Sequence, residues 1–551
     1  MTSAKNRLRL TAGINRYKNQ DLAPMTKYIG YCFVLMLLIS CGSQSVINKQ
    51  TGITSPSFSN HYQPPLFEND LRIQKIAALT PDIQQLFEAH ALARKIPGIA
   101  YGIVVDDSLV IAASTGLINR DKALSASIKS SFRIASMTKS FTAMAILKLR
   151  DEGRLSLEDP ATKYIPAMTQ LEYLTSDSPI INIRNLLTMT AGFPEDNPWG
   201  DRQLHESDQM LLGLVEDGIS FSNVPSSKFE YSNTGYALLG HIVSRVSGMP
   251  YQDYIREQIL KPLGMDQTYW EYDNVPPEQL ALGYRWEDGR WILEPMLHDG
   301  SYGAMGGLIT SIEDFSKYVS YHLAAWPARS AEENGPVKRS SLREMQTAQF
   351  SHLALEARNF NGDPCAAVSG YGYGLNSAID CKKVNRVRHG GALPGFGSNY
   401  TFYPDYGVGI MAFGNLTYTG PLPLNKIEKL LFETAQIKPR RLPVSDILAK
   451  RQEQVLKFIQ SWDVNLEKEI VAGNLYMDES REKRMAHVQD IFKKAGKIQK
   501  VDTIEPWNQL RGTFKIHAEQ GVIAVYFALT PERNATVQDL YITFEQHENE
   551  D

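Results

Sequence analysis

A chain of 551 residues exceeds one ordinary domain, so two folded units are expected. A hydrophobic fraction of 43% is that of a globular protein with a sizeable core, which excludes a disordered or low-complexity chain. The net charge of −4 offers no broad basic surface, so nucleic acid is not an expected partner.

Residues 1–40 read as a targeting segment. Basic residues up to Lys27 precede an apolar run, Tyr28 to Ile39, that is short for a membrane span, as in a secretory signal peptide. Met25 would serve equally as a start, and an uncleaved anchor helix is the alternative. Leu38-Ile39-Ser40-Cys41-Gly42 resembles a bacterial lipobox, which makes Cys41 the lipidated first residue of the mature chain. Residues 41–75 are rich in Ser, Asn, Gln, Thr and Pro without periodicity and read as a lipid-anchored tether. The expected location is the bacterial cell envelope, facing the periplasm or the exterior.

Thr80-Pro81-Asp82 opens a helix, with Thr80 expected as its cap. Residues 99–105 and 109–113 read as a β-hairpin. Helices dominate from about 136 to 320, broken by turn-rich stretches such as Pro194 to Gly200, where Trp199 reads equally as a cleft aromatic or a surface-loop aromatic. Strands return at 372–380, 384–389, 398–403 and 407–414. The pattern predicts an α/β (α+β) fold: an antiparallel sheet built from both ends of residues 76–440, flanked by helices, with an inserted helical region and a cleft between. By strand alternation Val387 shares the side of His389, while Arg386 and Arg388 face away. Residues 441–551 form a small α+β accessory domain, with helical spacing at Val455, Phe458, Ile459 and Trp462 and three strands at 511–517, 521–529 and 537–544. It resembles NTF2-like accessory domains in outline. Without a catalytic cluster it reads as a packing or dimerisation module, its helix faces covered by the larger domain or by another subunit. Oligomeric state is left unassigned.

Three short patterns carry the chemistry. In Ser136-Met137-Thr138-Lys139 the hydroxyl and the amine are three residues apart on one helical face. The apolar run that follows, Phe141 to Leu147, buries that helix, and burial lowers a lysine pKa. A serine needs such a base to become a nucleophile. Tyr231-Ser232-Asn233 adds a phenol and an amide that offers a donor and an acceptor to the reacting amide or to Lys139, and His389-Gly390-Gly391 lies between two strand-like runs. Chance matches exist at Ser480 to Lys483, Tyr17, Tyr272 and His298, but each lies among charges, in the targeting segment or in a turn. An ordinary core with chance motifs is the bland alternative, and for His389 alone a hydrogen-bonded structural histidine.

With Phe132-Arg133-Ile134-Ala135 before Ser136, Leu155 to Pro160, Ile183 to Thr188, Gly306-Gly307-Leu308 and Ala392 to Phe396, the chain resembles the class C β-lactamase-related serine hydrolases over roughly residues 83–420. That family includes penicillin-binding D,D-peptidases, D-aminopeptidases and esterases. The resemblance implies a β-lactamase/D,D-peptidase-like fold and catalysis through an acyl-enzyme without cofactor or metal. It implies Ser136 as nucleophile and Lys139 with Tyr231 as the base pair. Asn233, His389, Gly391 and Ala392 would line the substrate, with the backbone N–H groups of Ser136 and Ala392 as oxyanion hole. Two departures stand out. His389 occupies a position where many β-lactamases of the family carry Lys, which favours the peptidases. Met189 and Ala191 replace His and Ser in a structural loop.

The expected activity is therefore that of a D,D-carboxypeptidase or a D-aminopeptidase-type peptidase on small peptides, peptidoglycan stems first. An esterase or β-lactamase of the same fold is the alternative, and a non-catalytic envelope lipoprotein the alternative of another class. Cys365 and Cys381 either form a disulfide in an oxidising compartment or remain free thiols; sequence leaves both open.

Overall fold

The computed structural model describes residues 57–547. The expected signal peptide, Cys41 and the first part of the expected tether lie outside the described residues. Among these residues no helix is long and apolar enough to cross a membrane.

One antiparallel sheet of nine strands organises the larger domain. Its N-terminal strands are β1 (Gly98–Val105), β2 (Ser108–Asn119) and β3 (Leu124–Ser125). Its C-terminal strands are β4 (Phe350–Ala354), β5 (Ala367–Tyr371), β6 (Asn376–Asp380), β7 (Asn385–Leu393), β8 (Phe396–Tyr403) and β9 (Val408–Gly414). The order across the sheet is β3-β2-β1-β9-β8-β7-β6-β5-β4. The two ends of the domain meet at β1 and β9, where Ile103 faces Ile410 and Ile99 faces Gly414. Every residue of both strands is buried, because each face of the sheet is covered.

Helix α1 (Thr80–Arg94) lies on one face, with Phe87 stacked on Tyr101 at 3.7 Å between ring centroids. Its cap position is Leu79; Thr80 lies inside the helix, and its hydroxyl donates to the Ala77 carbonyl at 2.7 Å. The inserted helical region covers the other face. Its central helix, α2 (Lys139–Asp151), is buried from Lys139 to Leu147. Phe141 of α2 stacks on Tyr318 of α4 (Ile312–Leu323) at 3.9 Å. Between them in sequence comes α3 (Asn233–Ser247), whose first eight residues are also buried. Each such Leu, Ile or Phe contributes about 1.5 to 3 kcal/mol by leaving water, which clamps the helices that carry the polar motifs.

The chain joins this domain earlier than the expected end of the tether. Leu66 bridges Arg441, and the guanidinium of Arg72, 5% exposed, pairs with Asp70 at 2.7 Å and Asp106 at 2.5 Å. Arg440, just before the accessory domain, reaches the same Asp106 at 2.9 Å.

The accessory domain packs helices Asp446–Ser461 and Arg481–Ala495 on a five-stranded sheet. Phe458, Ile459 and Trp462 are buried in that domain's own core rather than against the larger domain or a subunit. Two strands, Ile498–Val501 and Glu505–Asn508, were not expected from sequence. Both are short, pair only with Arg511–Ala518, and one contains Pro506, which weakens a strand signal.

Cys365 and Cys381 form a disulfide with a Cα–Cα distance of 5.3 Å. It closes the open end of the β5–β6 hairpin, next to the Ala367–Asp380 pair. Closing a loop of this length removes about 3 kcal/mol of chain entropy from the unfolded state. Replacing both cysteines by alanine is therefore expected to lower unfolding free energy by about 2 to 3 kcal/mol, read as a lower denaturant midpoint with a steeper slope, because the unfolded chain is no longer cross-linked.

Candidate active site

Ser136 sits in a single 3₁₀ turn, Ala135–Thr138, that runs directly into α2. A 3₁₀ turn has three residues per turn, so side chains at i and i+3 eclipse one another. That places Lys139 over Ser136. The Nζ atom lies 3.0 Å from Ser136 Oγ, 2.7 Å from Asn233 Oδ1 and 2.9 Å from the Met305 carbonyl oxygen. Lys139 is fully buried.

These three partners differ in kind. Asn233 Oδ1 and the Met305 carbonyl can only accept hydrogen bonds, so Nζ must donate to both. The Ser136 hydroxyl can accept or donate. With a neutral amine, two N–H groups serve the carbonyls and the lone pair is left for the Ser136 hydroxyl proton. Burial is the largest influence on Lys139 and brings its pKa from 10.5 down to about 7, against the pull of Asp201 and Asp196. Burial also pushes the Tyr231 phenol well above its ordinary value. Both effects favour a neutral amine beside a neutral phenol over an ammonium–phenolate pair. The Tyr231 ring centroid is 5.0 Å from Nζ, and its hydroxyl is turned toward Ser136.

The turn is held from the other side by β7. A β-carbon at Gly391 would overlap the Ile134 carbonyl oxygen and lie 3.0 Å from Ala135 Cβ. Glycine lets the strand approach the turn, and Ala392 then shares the cavity wall with Ser136. Ser398 Oγ donates to the same Ile134 carbonyl at 2.7 Å. Ala135 is in the left-handed region at φ +51, a conformation that costs a residue with a β-carbon roughly 1 to 2 kcal/mol. The packing of Gly391 against it keeps that conformation in place.

Above Ser136 opens a cavity of about 640 Å³. Ser136, Tyr231, His389, Gly391 and Ala392 line it, as expected from sequence for a cleft. Asn233 does not. It is fully buried beneath the floor, its Oδ1 on Lys139 and its Nδ2 donating to Asn197 Oδ1 at 2.7 Å. Both ends of the amide are spent, so its contact is with the lysine rather than with a ligand. Asn197 takes the place on the wall, its own Nδ2 donating to Glu195 Oε1 at 2.7 Å.

His389 is also occupied. Its Nδ1 lies 2.5 Å from the Gly390 carbonyl, which can only accept, so the proton is on Nδ1. Nε2, 3.1 Å from the Tyr371 hydroxyl, is then the acceptor. Burial and the nearby Lys139 bring its pKa down to about 4. At neutral pH His389 is therefore uncharged. The Tyr371 partner carries no motif and was not legible in the sequence. As the strand phase predicted, Val387 is buried with His389, while Arg386 is taken by Asp380 at 2.6 Å and Glu428 at 2.7 Å.

The stretch Pro194 to Arg202 supplies residues that sequence reasoning missed. Glu195, Asn197, Pro198 and Asp201 line the cavity, whereas Trp199 is half exposed and edge-on to Tyr302 at 6.1 Å. Asp196 holds the stretch in place. Its carboxylate accepts from the backbone N–H of Asn233 at 2.7 Å, from that of Thr234 at 2.8 Å and from the Thr234 hydroxyl at 2.8 Å. These N–H groups open α3, where a carboxylate also meets the positive end of the helix dipole. The only sequence signal was a density of acids and amides between two prolines and a glycine.

The chain is similar in sequence and in fold to known proteins. The family model described as Beta-lactamase matches residues 83–432. Protein flp of Staphylococcus aureus (strain MW2) is 30% identical over 343 residues, 61% of this chain and 64% of that protein. The chain thus spans about 64% of the length of this curated relative. Among solved structures, the octameric penicillin-binding protein homologue from Pyrococcus abyssi is similar with a TM-score of 0.52 and 23% identity, covering 85% of this chain and 94% of that one. A D-stereospecific amidohydrolase from a Streptomyces species is similar with a TM-score of 0.50 and 23% identity, covering 64% of this chain and 98% of that one.

Asp196→Ala removes three hydrogen bonds to the start of α3. It is expected to lower unfolding free energy by about 1 to 2 kcal/mol, the usual cost of a lost cap. Because the same contact holds the cavity wall, labelling of Ser136 by a small acylating probe should also slow. Urea unfolding and labelling rates measure the two effects.

Proposed function

This chain belongs to the beta-lactamase family and is a serine hydrolase, and on that footing we propose that it cleaves small amides and esters through an acyl-enzyme on Ser136. The observation that carries the proposal is the set of three partners around Lys139 Nζ, which leaves a lone pair for one atom alone, Ser136 Oγ.

In the proposed cycle Lys139 takes the Ser136 proton as Oγ attacks the substrate carbonyl carbon. The developing oxyanion is stabilised by the backbone N–H groups of Ser136 and Ala392. Tyr231, kept as a phenol by burial, gives its proton to the leaving group as the carbon–nitrogen or carbon–oxygen bond breaks. The Lys139 ammonium then returns a proton to the Tyr231 oxygen. Water repeats the attack on the acyl-enzyme and regenerates Ser136.

Among peptidase readings, cleft charge favours a D-aminopeptidase-type or amidase reaction over a D,D-carboxypeptidase or β-lactamase one. The latter two act on substrates with a carboxylate, which a cation would hold. Among the described residues lining the cavity there is no Lys or Arg, and His389 is neutral at pH 7. Ester hydrolysis shares the machinery and asks less of the proton donor. The relative that is a D-stereospecific amidohydrolase has the same fold, which is compatible with this ranking. We propose further that lipidation at Cys41 tethers the enzyme in the cell envelope, on the strength of the apolar run and lipobox-like residues that end there.

A fluorophosphonate probe is expected to add one mass increment to the protein and none to Ser136→Ala. Absence of an adduct on folded protein would remove the acyl-enzyme reading. With a substrate that does not itself titrate, acylation should rise with pH through about 7 and then level. Lys139 must lose its proton to act as base, and its pKa is lowered to that value. A rate that falls as pH rises through 7 would assign the active form to the ammonium.

A further inference from the structure

Asp201 is 2% exposed, lines the cavity that contains Ser136, and carries a buried Oδ1 with no hydrogen-bond partner. An unpartnered buried carboxylate is costly, several kcal/mol relative to water. The Tyr418 hydroxyl and the charge of Lys139 offset only part of that cost, and burial still raises the Asp201 pKa to about 6. Lys139, the nearby amine, spends Nζ on Ser136, Asn233 and Met305 and makes no hydrogen bond to it. Glu195, the other acid on the wall, is engaged, its Oε1 accepting from Asn197 Nδ2 at 2.7 Å. The Tyr418 hydroxyl faces Asp201 from the opposite wall.

The position of Asp201 is built. It follows Gly200, where a β-carbon would lie 3.0 Å from Asn233 Cβ. Glycine therefore lets this turn press against the amide that holds Lys139, and the next residue is carried to the cavity edge. From there the carboxylate acts electrostatically on both Lys139 and Tyr231.

We propose that Asp201 receives a primary ammonium group of the substrate, making it a specificity-determining residue for small amides and esters that bear a free amine close to the scissile carbonyl. This rests on the acyl-enzyme reading at Ser136 and narrows its substrate class. An ammonium supplies the missing donor to Oδ1, and its charge offsets the carboxylate in a cavity wall that holds no cation of its own among the described residues. A substrate carboxylate at the same place would meet Asp201 and Glu195 and be repelled. The bound ammonium also opposes charge on Lys139, because it cancels the carboxylate that favours the lysine's protonated form. Binding the correct substrate thus drives the base toward its proton-accepting state.

The test is protection of Ser136 from a fluorophosphonate probe by three ligands: D-alaninamide, its N-acetyl form, and N-acetyl-D-alanine, which carries a carboxylate. At pH 7.5 the amine is expected to protect at concentrations at least tenfold lower than the N-acetyl amide, and the carboxylate least of all. Asp201→Asn should bring the amine and its N-acetyl form to within about twofold of each other. Glu195→Gln should keep most of the preference. Equal protection by the amine and its N-acetyl form in the wild-type chain, or protection by neither at 50-fold molar excess over the probe, overturns the inference. So does a preference that survives in Asp201→Asn. If Asp201→Asn does not fold, the wild-type ratio and its retention in Glu195→Gln decide. A failure of the acyl-enzyme reading looks different, since the probe would then not label the wild-type protein at all.

Discussion

An amine buried without a carboxylate against it is the constraint on which this molecule turns. Lys139 has no exposed surface, and its partners are three oxygens from three separate elements: a turn, a helix and the backbone of a short helical segment. In water such an amine is charged. Here the loss of hydration disfavours the charge, and only more distant acids oppose that loss. The arrangement survives because the elements delivering the oxygens are locked by apolar packing. Arg133, just ahead of the turn, adds to this by donating to the Gly307 carbonyl at 3.0 Å and the Leu297 carbonyl at 2.7 Å, close to Met305.

The charge pattern above the lysine follows from the same economy. A cation in the third motif would stand beside Lys139 and raise the cost of any positive charge there. A histidine whose two nitrogens are already engaged avoids that conflict. The result is a cleft with Glu195 and Asp201 on its wall and an uncharged histidine beside them.

What the sequence made legible was local or periodic. The Ser136–Lys139 spacing, the buried run of α2 and the phase of the strand bearing His389 all follow from backbone repeats of two or three residues. What it hid depends on residues far apart in the chain. That Asn233 turns inward rests on Asn197, 36 residues away, and on the absence of a side chain at Gly200. Asp201 carries no motif, and its meaning arises only when its turn is pressed against α3. The Cys365–Cys381 bridge is intermediate: the spacing allowed it, and the register of β5 with β6 fixed it. The helices and the three long strands of the accessory domain were legible, but Ile498–Val501 and Glu505–Asn508 were too short and too polar to announce themselves.

The sheet joins β1 to β9 at its middle, so residues near 100 hydrogen-bond with residues near 410. The three motifs at Ser136, Tyr231 and His389 are all encoded between those two strands. A growing chain therefore cannot complete its central sheet until some three hundred residues later, and closing so long a loop comes before any reward from the strand pairing. Until then α2, apolar almost all round, has no sheet to cover it and is a hazard for self-association.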